Sequence, residues 1–330
     1  MMTEPLLDVR NLSVQFTTRN GRVTVLDDIS FSLERGERIS FVGESGCGKS
    51  MTALALMGLL PAMGKVTGGE VRFKGEELTT ASESRMRLLR GNEISMIFQE
   101  PMTSLNPVFT IGRQIAEVLQ LHRGLDGKAA MARAVDLLEA VRIPNAASRI
   151  KDYPHQLSGG QRQRVMIAIA LACEPEILIA DEPTTALDVT VQAEIFALLR
   201  DLGAKLETAI ILITHDMGAV AQMSERMLVM YAGRRVEEGR VADVISRPAH
   251  PYTKGLISCV PHITNSVGMR AENLPEIEGI VPPITSFGRD ECLFAPRCNR
   301  AEEGCFAAKP KNASMANQDR HYVACWHPNE

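Results

Sequence analysis

A glycine-rich loop that follows a short apolar strand limits the folds that this sequence can adopt. The apolar run 37–42 predicts a strand, and a helical pattern runs from Lys49 to Leu60, before Pro61. Between them, Gly43-Glu-Ser-Gly-Cys-Gly-Lys-Ser50 fits G-x-x-x-x-G-K-[ST]. Glycines let successive backbone N–H groups converge on phosphates, and the helix N-terminus adds partial positive charge. The sequence therefore predicts a nucleotide-phosphate site within a strand–loop–helix unit.

The residues of this loop have distinct predicted roles. Lys49 is expected to reach the β- and γ-phosphates, and the Ser50 hydroxyl to bind Mg²⁺. Cys47 lies near the helix N-terminus and Lys49, features that lower a thiol pKa. It is either a small residue that fills the loop or a reactive thiol, and we expect maleimide to modify it and MgATP to protect it. The predicted nucleotide-binding residues of the loop are Gly43, Glu44, Ser45, Gly46, Cys47, Gly48, Lys49 and Ser50.

Two adjacent acids follow a second apolar strand, Ile177-Leu-Ile-Ala-Asp181-Glu182. Asp181 is placed to hold Mg²⁺, directly or through water, as the Walker B acid does in P-loop NTPases. Glu182 stands one residue further on, where a carboxylate can polarise the attacking water. Paired acids at a strand end are also typical of a solvated loop, but the phosphate loop earlier in the chain favours the catalytic interpretation.

The arrangement of strands and helices indicates an α/β fold. The runs 177–180 and 209–213 are short and almost entirely apolar, as strands buried on both faces of a parallel sheet are. Each is followed by a polar motif and then a helical pattern, which predicts a parallel central sheet. His215 follows the second run; it is either a structural histidine or part of a site at the carboxyl ends of the strands.

The remaining patterns add an antiparallel part, a helical part and a second anion site. Residues 6–16 and 23–33 predict two strands, 66–78 another strand pair, and 113–141 a helical stretch. Leu157-Ser-Gly-Gly-Gln161 precedes a helix and predicts a second N–H-rich anion site, to which Ser158, Gly159, Gly160 and Gln161 contribute. One nucleotide cannot easily occupy both sites, so the sequence favours a head-to-tail dimer with ATP between the two loops.

Charge and hydropathy exclude two classes of protein. The net charge of −4 gives no hint of nucleic-acid binding, which usually calls for a basic domain or stripe. No apolar run approaches the ~18–20 residues that a membrane helix needs, and the first residues lack the basic segment of a secretory signal. We expect the chain to work in the cytosol.

Together, these motifs resemble the ATPase subunits of ABC transporters. The resemblance implies the P-loop NTPase cassette fold: a RecA-like core, a helical subdomain and an N-terminal antiparallel β part. It also implies ATPase activity, with Glu182, His215 and Gln99 as catalytic residues and Ser50, Gln99 and Asp181 as Mg²⁺ ligands. Residues 186–188 match the D-loop. By the same resemblance Phe16 stacks on adenine; its alternative is a core side chain at a strand end.

A narrower resemblance is to the dipeptide, oligopeptide and nickel importers, carried by residues 98–107, 250–256 and 292–298. It implies an ATPase that powers uptake of peptides or a similar solute at the cytoplasmic face of the inner membrane. The implied partners are a second ABC ATPase (a paralogue, or a second copy), two permeases and, indirectly, an extracytoplasmic binding protein. The alternative is a soluble ABC ATPase, but neither a long coiled-coil insertion nor a second cassette is present. We expect an ATPase domain over residues 1–250, with a helical subdomain at about 100–160, and an extension over 251–330.

Four cysteines are concentrated in that extension: Cys292, Cys298, Cys305 and Cys325. Their spacing lacks the C-x2-C knuckle of most structural zinc sites, and four thiolates can hold an iron–sulfur cluster. The resemblance implies a [4Fe–4S] cluster; zinc, plain thiols or a disulfide stay open, with His321 and His327 as possible substitute ligands. Glu291 departs from the family, which usually has glycine there. We expect the group to staple a tail that is short of apolar residues, and not to take part in hydrolysis.

Overall fold

The computed structural model describes residues 4–99, 104–185, 187–259, 276–286, 290–315 and 320–329. The chain divides into two compact units. The first unit comprises Met1–Leu6, Leu33–Arg38 and Thr80–Ile213, and the second comprises Leu7–Ser32, Ile39–Thr79 and Thr214–Glu330. Among the described residues, no helix is both long enough and apolar enough to cross a membrane.

The strands are β1 Leu7–Thr18, β2 Gly21–Leu33, β3 Arg38–Val42, β4 Gly64–Phe73, β5 Glu76–Glu77, β6 Ile94–Ile97, β7 Ile177–Asp181, β8 Ala209–Ile213, β9 Arg226–Tyr231, β10 Arg234–Arg240, β11 Ala313–Ser314 and β12 Tyr322–Val323. The α-helices are α1 Lys49–Leu56, α2 Glu83–Leu89, α3 Ile111–Arg123, α4 Gly127–Ala140, α5 Ala146–Arg149, α6 Gly159–Leu171, α7 Val189–Leu206, α8 Met217–Met223, α9 Val241–Ser246, α10 Pro251–Ser258 and α11 Glu303–Ala307.

The first unit contains the parallel ladder β6–β7–β8. Ile94 pairs with Ile177, and Ile177 pairs in turn with Ala209. Every residue of β7 and β8 is buried, which explains why these strands read as continuous apolar runs instead of alternating patterns. The predicted parallel strands at 177–180 and 209–213 are confirmed.

The helical part of the first unit departs from the single stretch predicted over 113–141. Thr110 caps the start of α3, with its hydroxyl accepting a hydrogen bond from the Arg113 N–H. The helix ends at Gly124, which has a left-handed φ of 64°, and Asp126 caps the start of α4. Glycine tolerates this conformation and aspartate satisfies free N–H groups, so the chain turns between two helices.

The second unit contains an antiparallel sheet in the order β2–β1–β4–β5, as the sequence predicted for the N-terminal part. It also contains β3 paired in parallel with β9, which pairs antiparallel with β10. The short strands β12 and β11 extend this second ladder from β10. Residues beyond 250 therefore pair directly with a strand that precedes 250.

An aromatic cluster forms part of the core of the second unit. The ring centroids of Tyr231 and Tyr252 are 4.6 Å apart, and that of Phe294 lies 5.2 Å from Tyr231. All three side chains are buried, and Leu293 packs in the same cluster. Burial of such side chains stabilises by about 1.5–3 kcal/mol each, so the segment around residue 294 is anchored by apolar packing.

Candidate functional site

The phosphate loop follows β3, as predicted, and α1 begins at Lys49. The Lys49 side chain is buried, and its ammonium donates to the carbonyl oxygens of Gly43 at 2.7 Å and Glu44 at 3.2 Å. Gly48 has a φ of 107°, and a Cβ there would lie 2.7 Å from a Leu26 methyl carbon. The loop thus wraps around the ammonium group, in backbone that only glycine adopts without strain.

The burial and the pKa of the Cys47 thiol differ from those that the sequence predicted. Its side chain is only 1% exposed, and burial raises the pKa of its thiol although the Lys49 ammonium lies 3.8 Å from Sγ. Desolvation disfavours the thiolate more strongly than the nearby positive charge favours it. The prediction of a reactive, low-pKa Cys47 is therefore wrong.

The two acids at the end of β7 are held differently. Asp181 is buried as the last residue of the strand. Glu182 is partly buried, has a left-handed φ of 44°, and donates its N–H to the Ile213 carbonyl at 2.9 Å. Its Oε2 accepts hydrogen bonds from Gln99 Nε2 and from the Thr185 hydroxyl, both at 3.1 Å. Such backbone is uncommon outside glycine and often marks a functional position.

Gln99 was predicted from the resemblance, whereas Thr185 was missed. The signal that could have found Thr185 is its position three residues after Glu182, where a hydroxyl can bond back to residue 182. It does so twice, to the carbonyl oxygen of Glu182 and to its side chain, both at 3.1 Å. The Glu182 carboxylate is therefore oriented by two donors.

His215 and Phe16 both keep exposed surface. His215 is exposed in the turn after β8, directly before Asp216, which caps the start of α8. Phe16 is half-buried opposite Gly64 in the β1–β4 pair, and its ring lies so close to Gly64 that a Cβ there would overlap it. The half-exposed ring can still offer surface to a planar ligand.

The glycine pair of the predicted second anion site lies at the start of helix α6, as the sequence predicted. The Ser158 hydroxyl accepts from the Gln161 N–H at 3.3 Å, and the Gln161 side chain accepts from the Ser158 N–H at 3.1 Å. This reciprocal cap fixes the first turn, and Gly159 and Gly160 form the positively polarised start of a 13-residue helix. Of the predicted D-loop, Ala186 lies outside the described residues, and Asp188 caps α7.

Comparison with known proteins decides the family. The family described as "ABC transporter" matches residues 26–185. The oligopeptide transport ATP-binding protein of Salmonella typhimurium is 49% identical over 325 residues, covering 98% of this chain and 94% of that protein. The dipeptide transport ATP-binding protein of Bacillus subtilis is 47% identical over 324 residues, covering 98% and 95%. The chain belongs to the ABC transporter ATP-binding family.

Solved structures of ABC cassettes agree with this assignment. The dimeric ATP-binding cassette MJ0796 in a post-hydrolysis state, bound to ADP and Pi, matches with a TM-score of 0.64 and 28% identity, covering 71% of this chain and 98% of that chain. The protein cbiO1 of Clostridium perfringens, part of the ABC transporter complex cbiONQ, matches with a TM-score of 0.63 and 27% identity, covering 74% of this chain and 92% of that chain. The ABC ATPase cassette fold is therefore confirmed, and this chain is an ABC-type ATPase.

A second family match covers residues in the last third of this ABC ATPase. The family described as "Oligopeptide/dipeptide transporter, C-terminal region" matches residues 236–305.

The four cysteines named from the sequence are free thiols that line one small cavity, together with Trp326 and His327. Burial raises the pKa of Cys292, and raises that of Cys325 to about 11. Within the described ranges, no three His, Cys, Asp or Glu side chains are arranged as a metal site.

His321, one of the substitute ligands considered, is engaged elsewhere. Its Nε2 lies 2.7 Å from Oε1 of Glu237, and both side chains are fully buried. The Glu237 carboxylate also accepts the N–H groups of Ala249 and His250, each at 2.8 Å. His321 therefore belongs to a buried polar group in the second unit, and it is absent from the lining of the thiol cavity.

Two side chains to which the sequence analysis assigned no role reach the phosphate loop from the C-terminal part of the second unit. The Glu44 N–H donates to the Tyr252 hydroxyl oxygen at 2.8 Å. The Arg297 guanidinium forms two hydrogen bonds with the Glu44 carboxylate. No local pattern marks these contacts, because 208 and 253 residues separate the partners.

Proposed function

We propose that this ABC ATPase hydrolyses ATP to power the uptake of dipeptides, oligopeptides or a similar small solute across the cytoplasmic membrane. One observation carries the proposal: similarity to peptide-transport ATP-binding proteins extends over 98% of the chain. It includes the C-terminal region that is named for oligopeptide and dipeptide transporters. A soluble ABC ATPase that is not tied to transport has no comparable support.

The proposed chemistry centres on Glu182. Its carboxylate accepts a proton from a water molecule, whose oxygen attacks the γ-phosphorus in line; the bond to the β–γ bridging oxygen breaks, giving ADP and phosphate. Gln99 and Thr185, which donate to Glu182 Oε2 at 3.1 Å, orient the base. The Lys49 ammonium and the loop N–H groups stabilise the negative charge on the phosphates.

The other site residues have supporting roles in this proposal. Ser50, Asp181 and Gln99 supply the oxygen ligands that Mg²⁺ prefers, and the ion would neutralise charge on the phosphates. Phe16 stacks on adenine and His215 contacts the γ-phosphate side of the site. The helix start formed by Ser158, Gly159, Gly160 and Gln161 binds ATP held by the second ATPase chain.

The proposed assembly follows the peptide importers. Residues 1–250 form the ATPase domain, with a helical subdomain at about 100–160, and residues 251–330 form the transporter-type extension. The partners are a second ABC ATPase, a paralogue or a second copy, together with two permeases and indirectly an extracytoplasmic binding protein. Nucleic acid is not a partner. The chain works as a peripheral protein at the cytoplasmic face of the inner membrane.

We infer that Cys292, Cys298, Cys305 and Cys325 hold a [4Fe–4S] cluster, with zinc as the alternative. The support is a set of four thiols lining one cavity, a donor set that fits either group in number and chemistry. Such a group would staple the end of the chain. Among the described residues, no group of three or more such side chains already has the geometry of a metal site. The inference therefore rests on the number and type of the donors and on the family likeness.

The direct test of the proposed function is peptide uptake in cells. A strain that lacks this chain's gene should lose uptake of a labelled dipeptide and a labelled oligopeptide, and the wild-type gene should restore it. Glu182→Gln should fail to restore uptake at equal protein level. Glu174→Gln should restore it, because Glu174 forms an exposed ion pair with Arg133. Full uptake in the strain carrying Glu182→Gln would overturn the proposal.

A further inference from the structure

The phosphate loop carries a carboxylate in a place where charge should matter. Glu44 is the second residue of the loop, directly after Gly43, and its backbone carbonyl accepts a hydrogen bond from the Lys49 ammonium at 3.2 Å. A loop that binds a triphosphate gains affinity from positive charge and from N–H groups. A negative side chain in the same loop repels the ligand, and in low-dielectric surroundings this repulsion is stronger than in water.

Arg297 neutralises that carboxylate. Nη1 of Arg297 lies 2.8 Å from Oε2 of Glu44, and Nη2 lies 3.1 Å from Oε1. This two-pronged geometry is the strongest form of an arginine–carboxylate pair. The Arg297 side chain is only 4% exposed and that of Glu44 is 28% exposed, so solvent screens the pair weakly.

The arginine is held rigidly by its own surroundings. Its Nε donates to the Glu278 carbonyl at 2.9 Å, and Nη2 donates to the Ile277 carbonyl at 3.0 Å. Burial opposes the charge, but hydrogen bonds to Glu44 and to the Tyr231 hydroxyl raise the pKa of Arg297 above its ordinary value. The guanidinium therefore stays positively charged and fixed in place.

The position of Arg297 depends on the cysteine-bearing segment. Arg297 ends a short 3₁₀ turn, Ala295–Arg297, that follows the buried Phe294 and directly precedes Cys298. The Ala295 N–H donates to the Cys292 carbonyl, and the Cys298 N–H to the Ala295 carbonyl. The fold of residues 292–298 thus aims the guanidinium at the phosphate loop.

We propose that Arg297 is a positioning residue for ATP binding, which neutralises and fixes Glu44 so that the C-terminal region sets the affinity of the phosphate loop for ATP. The proposal rests on the proposed nucleotide site at this loop. Tyr252, whose hydroxyl accepts the Glu44 N–H at 2.8 Å, is a second contact between the C-terminal region and the same residue. The loop is therefore held by both its backbone and its side chain.

The test measures the Kd of MgATP on the purified full-length chain at low salt. Arg297→Ala leaves the Glu44 carboxylate without its counter-charge, and should raise the Kd about tenfold. Glu44→Gln alone should lower the Kd, because the guanidinium then has no carboxylate to neutralise. In the double variant, Glu44→Gln should recover at least about fivefold of the affinity lost in Arg297→Ala. Arg300→Ala, which removes an exposed hydrogen bond to Asn329, is the matched control and should bind ATP as the wild type does.

The number of phosphates on the ligand gives a second readout. Removing a counter-charge should weaken binding of ATP more than binding of AMP, whereas a general loosening of the chain should weaken both equally. Arg297→Gln keeps an N–H donor near the position of Nε, which bonds to the Glu278 carbonyl, but loses the charge. It therefore gives the same comparison if Arg297→Ala does not fold. Arg297→Lys should lie between the wild type and Arg297→Gln.

Two results would overturn the inference. One is a double variant that binds ATP as weakly as Arg297→Ala, or as Arg297→Gln when that variant is used, since Arg297 would then act only as a structural tie. The other is an Arg297 variant that binds ATP as well as Arg300→Ala does. If the wild-type chain itself fails to bind ATP, the proposed function falls instead, so the two failures are distinguishable.

Discussion

At the scale of single residues, the partners of its carboxylate separate Glu182 from ordinary surface acids. Its φ of 44° is left-handed, and its carboxylate is held by Gln99 and Thr185. Glu174 has a similar φ of 49° but pairs with Arg133 on the surface. The two glutamates are therefore a natural comparison, since they share residue type and backbone conformation but differ in their partners.

Glu182→Gln should reduce ATP turnover by at least about a hundredfold, because the amide cannot accept a proton from the attacking water. The substitution keeps the size of the side chain and leaves Asp181 untouched, so ATP should still bind. Phosphate release by the purified ATPase is the measurement, and Glu174→Gln should stay within about twofold of the wild type. Turnover near the wild-type rate in Glu182→Gln would exclude Glu182 as the base.

Cys47 should resist labelling in the folded protein. Its thiol is buried and its pKa is raised by that burial, so little thiolate forms near neutral pH and the reagent cannot reach it. Mass spectrometry of maleimide-treated protein should show Cys47 modified far more slowly in the native chain than in urea. Equal rates in the two conditions would contradict the buried placement.

The sequence predicted which strands the proposed nucleotide-site residues follow, but not the surroundings of these residues. The glycine-rich loop and the acids at 181 and 182 follow strands, as predicted. The sequence predicted a lowered pKa for Cys47, whereas burial raises it. Sequence neighbours reveal a nearby lysine but not the extent of burial. Arg297 was invisible as a partner of Glu44, because the contact joins residues 253 apart.

At the scale of elements, apolar continuity predicted the buried parallel strands well. Residues 209–213 form β8 with the predicted bounds, and 177–180 falls one residue short of β7. The helical stretch 113–141 was predicted less well, because its periodicity continues through the turn at Gly124. Helical periodicity marks which face is buried, whereas capping residues mark where a helix stops, and here the second signal decided the structure.

Replacing each of two glycines at helix starts with alanine should change the free energy of unfolding differently. At Gly112 in α3, a Cβ would overlap the Ile150 side chain and lie 2.7 Å from its carbonyl oxygen, whereas at Gly127 in α4 it would meet only the flexible end of Gln120 at 3.4 Å. Gly112→Ala should lower the free energy of unfolding by about 1–3 kcal/mol. Gly127→Ala should leave it unchanged or raise it by up to about 1 kcal/mol. Urea denaturation measures both, and an unharmed Gly112→Ala would contradict the close contact.

At the scale of the whole molecule, the C-terminal region does more than follow the cassette in sequence. It adds strands β11 and β12 to β10 and packs Phe294 against Tyr231 and Tyr252. The sequence predicted a domain boundary between residues 250 and 251 but not these contacts, which depend on residues far apart in the chain. The expected role of the four cysteines as a staple stays a prediction, and Arg297 places a side chain of the same segment on the phosphate loop.

The proposed cluster makes a direct prediction about metal content. Anaerobically purified protein should be brown and contain about four irons per chain. Cys298→Ser should lose iron and lower the melting temperature, because the group would no longer tie together the chain segments whose cysteines line the cavity. Colourless protein with one tightly bound zinc would replace the cluster with the alternative. A metal-free chain whose residues 290–329 stay protease-resistant would contradict both.

The central claim is that this chain hydrolyses ATP to drive peptide import, and one measurement tests it most directly. The proposed importer, with this chain, a second ABC ATPase and two permeases in lipid vesicles, is supplied with MgATP and peptide-loaded binding protein. The account predicts that peptide moves across the membrane as phosphate is released, and that Glu182→Gln stops both together. Peptide transport that continues unchanged while the Glu182→Gln complex releases no phosphate would contradict it.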